Sequence, residues 1–152
     1  MENQEFVKKQ FEIFKKRGAN YRNVLILTSF IETIIRENAS KGKKLKEFKQ
    51  SLVILGLDID PKDEKVVSYR KNSQHTNDCL IEINLLRVQR NELLHDILKE
   101  KHPKEYIDKT IKEMARNLRS VCTSSNLIRD YFSKNTDYNF DPAKILATET
   151  GQ

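Results

Sequence analysis

The chain has 152 residues, 38% hydrophobic and 33% charged, with a net charge of +6 and only four Gly and three Pro. That length suits one domain able to bury a proper core, and few breakers among many Leu, Ile, Lys and Glu favour helices over sheet. Cys79 and Cys122 are the only cysteines; lacking metal-ligand spacing, they point to buried, reduced thiols rather than a disulfide scaffold. Residues 1–16 mix charges throughout, unlike a secretory signal, and the apolar stretch 24–35 is short and broken by Thr28, Ser29 and Glu32. The expectation is a cytoplasmic protein with no membrane partner.

Helical periodicity begins at residues 3–16, where Phe6, Phe11 and Phe14 form a stripe ended by Gly18. Residues 21–38 are apolar around most of the circumference, which predicts a central helix; its polar exceptions Ser29, Glu32 and Arg36 share one strip. Lys41-Gly42 breaks the chain, and 44–55 reads as a shorter helix ended by Gly56. Asp60-Pro61 looks like a cap and first position of another helical segment, fraying near Asn72-Ser73. A long helix is predicted over 76–98, closed by Lys101-His102-Pro103, and a last one over 103–133. Together these predict an all-α fold, an antiparallel bundle of four to five helices, with one domain over 1–134 and a polar tail over 135–152.

Residues 1–57 hold 12 Lys/Arg against 6 Asp/Glu, whereas the remainder is balanced. Lys43, Lys44 and Lys46, with Lys15-Lys16-Arg17, are therefore candidates for contacting RNA or another polyanion. A solvated lysine-rich turn is the competing reading.

The most informative stretch lies in the 76–98 helix. Asn84, Arg87, Asn91 and His95 recur at i, i+3, i+7 and i+11 along a side shared with Leu80, Ile83 and Leu94, while Asp78, Glu82, Gln89, Glu92 and Asp96 gather on a roughly opposite arc expected to face water. Polar groups on an otherwise apolar face need polar partners. A second copy of the helix, the strip bearing Glu32 and Arg36, or a substrate would each serve. Arg90 adds a permanently charged guanidinium five residues before the His95 imidazole, although an ideal helix offsets the two by about 140°. Arg70 and His75 repeat the spacing in a loop-like stretch without the following Asn.

Arg90-Asn91-Glu92-Leu93-Leu94-His95 resembles the Arg-(x4–6)-His motif of the HEPN superfamily, in which a polar residue, often Asn, follows the arginine. Glu32-Thr33-Ile34-Ile35-Arg36 is similar to the acidic-x3-basic signature on an early helix of that family. The tyrosine that commonly follows the histidine by two positions in toxin members paired with a nucleotidyltransferase is Ile97 here. The resemblance implies a metal-independent endoribonuclease without cofactors, active as a homodimer whose motifs meet across the interface. It also implies a toxin or defence role with an antitoxin or regulatory protein partner. In that chemistry His95 moves protons near its ordinary pKa of about 6.5, Arg90 stabilises charge on the phosphoryl oxygens, and Asn91 orients phosphate or imidazole. Glu32 and Arg87 are supporting candidates. Glu32 is also expected to pair with Arg36 four residues on, and Arg87 to contact RNA or bond across an interface. Two alternatives stand beside this: a catalytically silent module of the same family, and a helical adaptor whose basic first third binds nucleic acid or an acidic protein.

Overall fold

The structure, a computed structural model, describes residues 21–99 and 104–134. The expected helix at 3–16, the basic Lys15-Lys16-Arg17, the His102-Pro103 stop and the tail 135–152 lie outside these residues. Among the described residues the chain is mostly helical, with one small sheet. The order is α1 (Tyr21–Ser40), α2 (Phe48–Leu55), β1 (Leu57–Ile59), β2 (Val67–Tyr69), α3 (Leu80–Lys99), α4 (Lys104–Ser124) and α5 (Asn126–Lys134). No helix among them is long and apolar enough to cross a membrane.

The greasy circumference of α1 makes it the hub. Val24, Leu27, Ile31, Ile34 and Ile35 are none of them more than 3% exposed, and α1 packs against all four other helices. Lys41 and Gly42 take positive φ (50° and 83°) and end it. Leu80, Ile83, Leu86 and Leu93 of α3 and Met114, Leu118 and Val121 of α4 are fully buried in the same core, each large apolar side chain contributing about 1.5–3 kcal/mol of transfer free energy. The basic turn leaves only Phe48–Leu55 helical, its start later than the predicted residue 44. Gly56 closes α2 at φ 124°, its N–H shared between Leu52 O (3.2 Å) and Val53 O (3.1 Å). A Cβ there would run into the Ser73 side chain.

Two predicted helices are corrected. The segment after Asp60-Pro61 is the tip of an antiparallel hairpin, pairing Leu57 with Tyr69, Asp58 with Ser68 and Ile59 with Val67. Asp60 caps no helix; its Oδ1 accepts the Lys62 N–H (2.8 Å) and Asp63 Oδ1 accepts that of Lys65 (3.1 Å), so two side-chain turns shape the tip. The β-branched and aromatic content of Ile59, Val66, Val67 and Tyr69 fits the strands better than a helix. Tyr69 Oη then accepts the Leu80 N–H (2.9 Å), tying the hairpin to the start of α3.

The second correction divides the long last helix at Ser125. Its Oγ accepts the Ile128 N–H (3.3 Å) and Asp78 Oδ1 accepts that of Leu127 (3.0 Å), satisfying orphan donors at the start of α5.

Candidate functional site

The polar stripe of α3 is divided by the hairpin. Its first half is internal: Asn84 is 1% and Arg87 5% exposed. Asn84 Nδ2 donates to the Glu64 carbonyl (2.8 Å), and its Oδ1 accepts from Arg87 Nη2 (2.9 Å) and Nε (3.2 Å). Arg87 Nη1 lies 3.6 Å from the Glu64 carboxylate, which Lys49 also engages. Burial pulls the Arg87 guanidinium below its usual range while Glu64 opposes this. Hydrogen bonding from Lys49, with the Arg87 charge beside it, holds the Glu64 carboxyl below its ordinary value. Arg87, expected to reach RNA or a partner, is thus engaged inside its own chain.

The second half of the stripe is open. Asn91 and His95 are exposed, and among the described residues no hydrogen bond engages the imidazole. His95 opens onto a cleft of about 480 Å³ walled by α3 and the hairpin tip, with Val88 at its apolar floor. The tip is clamped there by Lys65 Nζ on Glu92 (3.1 Å), an ion pair that raises the Lys65 pKa.

Arg90 turns the other way, as its angular offset from His95 requires. Its Nη1 donates to Glu32 Oε1 (2.8 Å) and its Nη2 to Asn91 Oδ1 (3.3 Å), and its guanidinium carbon lies 5.9 Å from the Phe48 ring centroid. Arg90 Nε is buried without a partner among the described residues. Glu32 therefore pairs with Arg90 across helices rather than with Arg36, correcting the i, i+4 expectation. A guanidinium only 15% exposed needs a carboxylate more than Arg36 does, and Arg36 instead donates from Nε to the Lys46 carbonyl (2.6 Å). Arg90, Arg36 and Lys49 line a second cleft of about 370 Å³, with Arg87 at its base. Asn91 borders both clefts, so Arg90 and His95 flank one ridge rather than share one cavity.

Other candidates fall as follows. Lys43, Lys44 and Lys46 are exposed on the turn before α2. Arg70 and His75 are drawn to different partners: Arg70 Nη2 donates to Val53 O (2.7 Å), and His75 Nδ1 meets Asp78 Oδ2 at 2.6 Å. Asp78 and Gln89, expected to face water, are 6% and 8% exposed, Asp78 because it serves α5. Tyr106 is 37% exposed, whereas Tyr131 packs edge-on against Phe30 at 5.7 Å. The side chains of Asp96, Ile97 and Phe132 lie outside the described residues. Both cysteines are free, and burial pushes the Cys79 and Cys122 thiols up to about 11 and about 12. Among the described residues no three His, Cys, Asp or Glu side chains are grouped to hold a metal ion.

Sequence reasoning missed Glu64, Lys49 and the hairpin lysines. The available signal was the alternation of apolar and polar residues in Leu57-Asp58-Ile59 and its echo in Val67-Ser68-Tyr69. No family model matches the chain, and no curated protein or solved structure matches it significantly.

Proposed function

We propose that this protein is a metal-independent endoribonuclease of the HEPN type, its helices forming the bundle of that family with the hairpin as an added element. In this reading it works as a homodimer with a composite site at the interface, as a toxin or defence effector under an antitoxin or regulatory partner. The observation that carries it is the ridge at Asn91: a desolvated, fixed guanidinium on one side and an exposed imidazole that no described residue hydrogen-bonds on the other. A buried, bonded histidine would have argued for a structural role; His95 is the opposite.

The chemistry needs a base, an acid and a charge stabiliser. His95 takes the proton from a ribose 2′-hydroxyl, and the freed oxygen bonds to phosphorus as the P–O5′ bond breaks. The departing 5′-oxygen takes a proton, leaving a 2′,3′-cyclic phosphate and a 5′-hydroxyl. Arg90, held from behind by Glu32, donates to the phosphoryl oxygens as charge accumulates. A second copy supplies the second imidazole and brings a guanidinium and a histidine together across the seam.

The separation of Arg90 and His95 within one chain favours a second reading, a silent dimerisation or RNA-binding module. Cleavage of a labelled structured RNA in excess EDTA decides between them, comparing wild type with His95→Ala and Arg90→Ala. Cleavage by wild type alone, ending in cyclic phosphates, is expected. A folded, dimeric wild type that cleaves no RNA supports the silent module, and equal cleavage by all three places the activity elsewhere.

A further inference from the structure

We infer that the cleft between α1, α2 and α3 seats a phosphate of the RNA strand next to the one cleaved, with Arg36 and Lys49 as its contacts. This rests on the ribonuclease reading but concerns residues outside its chemistry.

The two clefts beside Asn91 differ in charge. The His95 cleft has Lys62 and Lys65 against Asp63, Glu64 and Glu92, an acidic balance that offers no seat for a further phosphate beyond the cleaved one. The other has Arg36, Lys49, Arg87 and Arg90 against Glu32 and Glu47, a basic balance with low-dielectric walls from Phe48. A phosphodiester chain crossing the ridge at Asn91 therefore continues into the second cleft.

Within that cleft the cations are not equivalent. Arg87 is engaged by Asn84 and Glu64, and Arg90, held by Glu32 and Asn91, serves the phosphate that is cleaved. Arg36 pairs with no carboxylate among the described residues, although Glu32 and Glu47 border the same space. Its Nε bond to the Lys46 carbonyl fixes the guanidinium and leaves both terminal nitrogens for an anion. Lys49 stands on the first turn of α2 and is 44% exposed, within reach of a phosphate at the cost of loosening its Glu64 pair. The same Lys46 carbonyl ties Arg36 to the exposed turn bearing Lys43, Lys44 and Lys46.

The test is fluorescence anisotropy of a labelled single-stranded oligonucleotide with 2′-O-methyl sugars, which binds without being cleaved, across a salt series. Arg36→Gln is expected to weaken binding about three- to tenfold and to flatten the slope of log K against log salt by roughly 0.7, one phosphate's share on a single strand. Arg36→Gln with Lys49→Gln is expected to flatten it about twice as much. Arg36→Gln with wild-type affinity and slope overturns the inference, as does a loss of affinity with an unchanged slope. A wild type that binds the strand but cleaves no RNA overturns the ribonuclease reading and leaves the phosphate seat standing. A wild type that binds no strand overturns the phosphate seat, and the ribonuclease reading then stands or falls on cleavage of the structured RNA.

Discussion

Asn84 and Arg87 share their stripe of α3 with Asn91 and His95, yet the two pairs live in different surroundings. The hairpin tip lies over the first pair and supplies the carbonyl and carboxylate of Glu64, so two buried polar side chains are satisfied. It stops short of the second pair, which faces an open cleft. One helix face thus serves two purposes, and the covering element, not the stripe, divides them. A polar residue on an apolar-looking face signals a need for a partner; whether that partner is the chain itself or a ligand depends on what lies above it.

The widest separation between the halves is expected from His95→Ala. RNA cleavage should fall by roughly 100- to 10,000-fold, the usual share of a proton-transfer group, with the urea midpoint unmoved because the side chain is exposed and no described residue bonds it. A midpoint that drops with activity would make His95 structural. Next, Arg87→Ala should destabilise the fold by about 2–4 kcal/mol, since it empties a buried site and strands Asn84 Oδ1 and one face of Glu64; urea unfolding measures this, and a change under about 0.5 kcal/mol would mean that the buried network is dispensable.

The two asparagines give a finer comparison. Asn84→Ala should lose about 1–2 kcal/mol by leaving Arg87 and the Glu64 carbonyl short of partners, against less than about 0.5 kcal/mol for Asn91→Ala. Equal losses would erase the distinction between the covered and the open half of the stripe. The smallest effect concerns pH. The folded-state pKa of Glu64 lies below its ordinary 4.5, through Lys49 first and Arg87 second. Its ionised form therefore stabilises the fold above that ordinary value, and the stabilisation is lost as pH falls through the folded pKa. Because 38% of the side chain stays in water, the contribution should be under about 1 kcal/mol. Urea midpoints of wild type and Glu64→Gln should differ at neutral pH and converge in acid; a gap that widens in acid would reverse the assignment.

Helical periodicity was sufficient for α1 and α3. Their apolar positions recur at the helix pitch over many turns, and the observed Tyr21–Ser40 and Leu80–Lys99 lie close to the predicted 21–38 and 76–98. Local pattern failed where competing structures were short. Leu57–Ile59 and Val67–Tyr69 hold three residues each, too few for alternation to outweigh an Asp-Pro pair that reads equally as a helix start or a turn. Ser124-Ser125-Asn126 held a cap signature within a continuing helical period, and the break at Ser125 depends on Asp78, which is remote in sequence.

For the site, composition and spacing singled out Arg90, Asn91, His95 and Glu32, because residues on one or two helices keep a calculable angular relation whatever surrounds them. The about 140° offset of Arg90 from His95 was legible in the same way, and it reappears as two clefts on either side of Asn91. Tertiary packing alone decided that Glu32 faces Arg90 rather than Arg36, that Glu64 covers Arg87, and that Lys49 and Arg36 border one space. Each of these joins groups from separate elements, and their meeting follows from how a core closes around α1 and a hairpin folds over α3, which no local run of residues encodes.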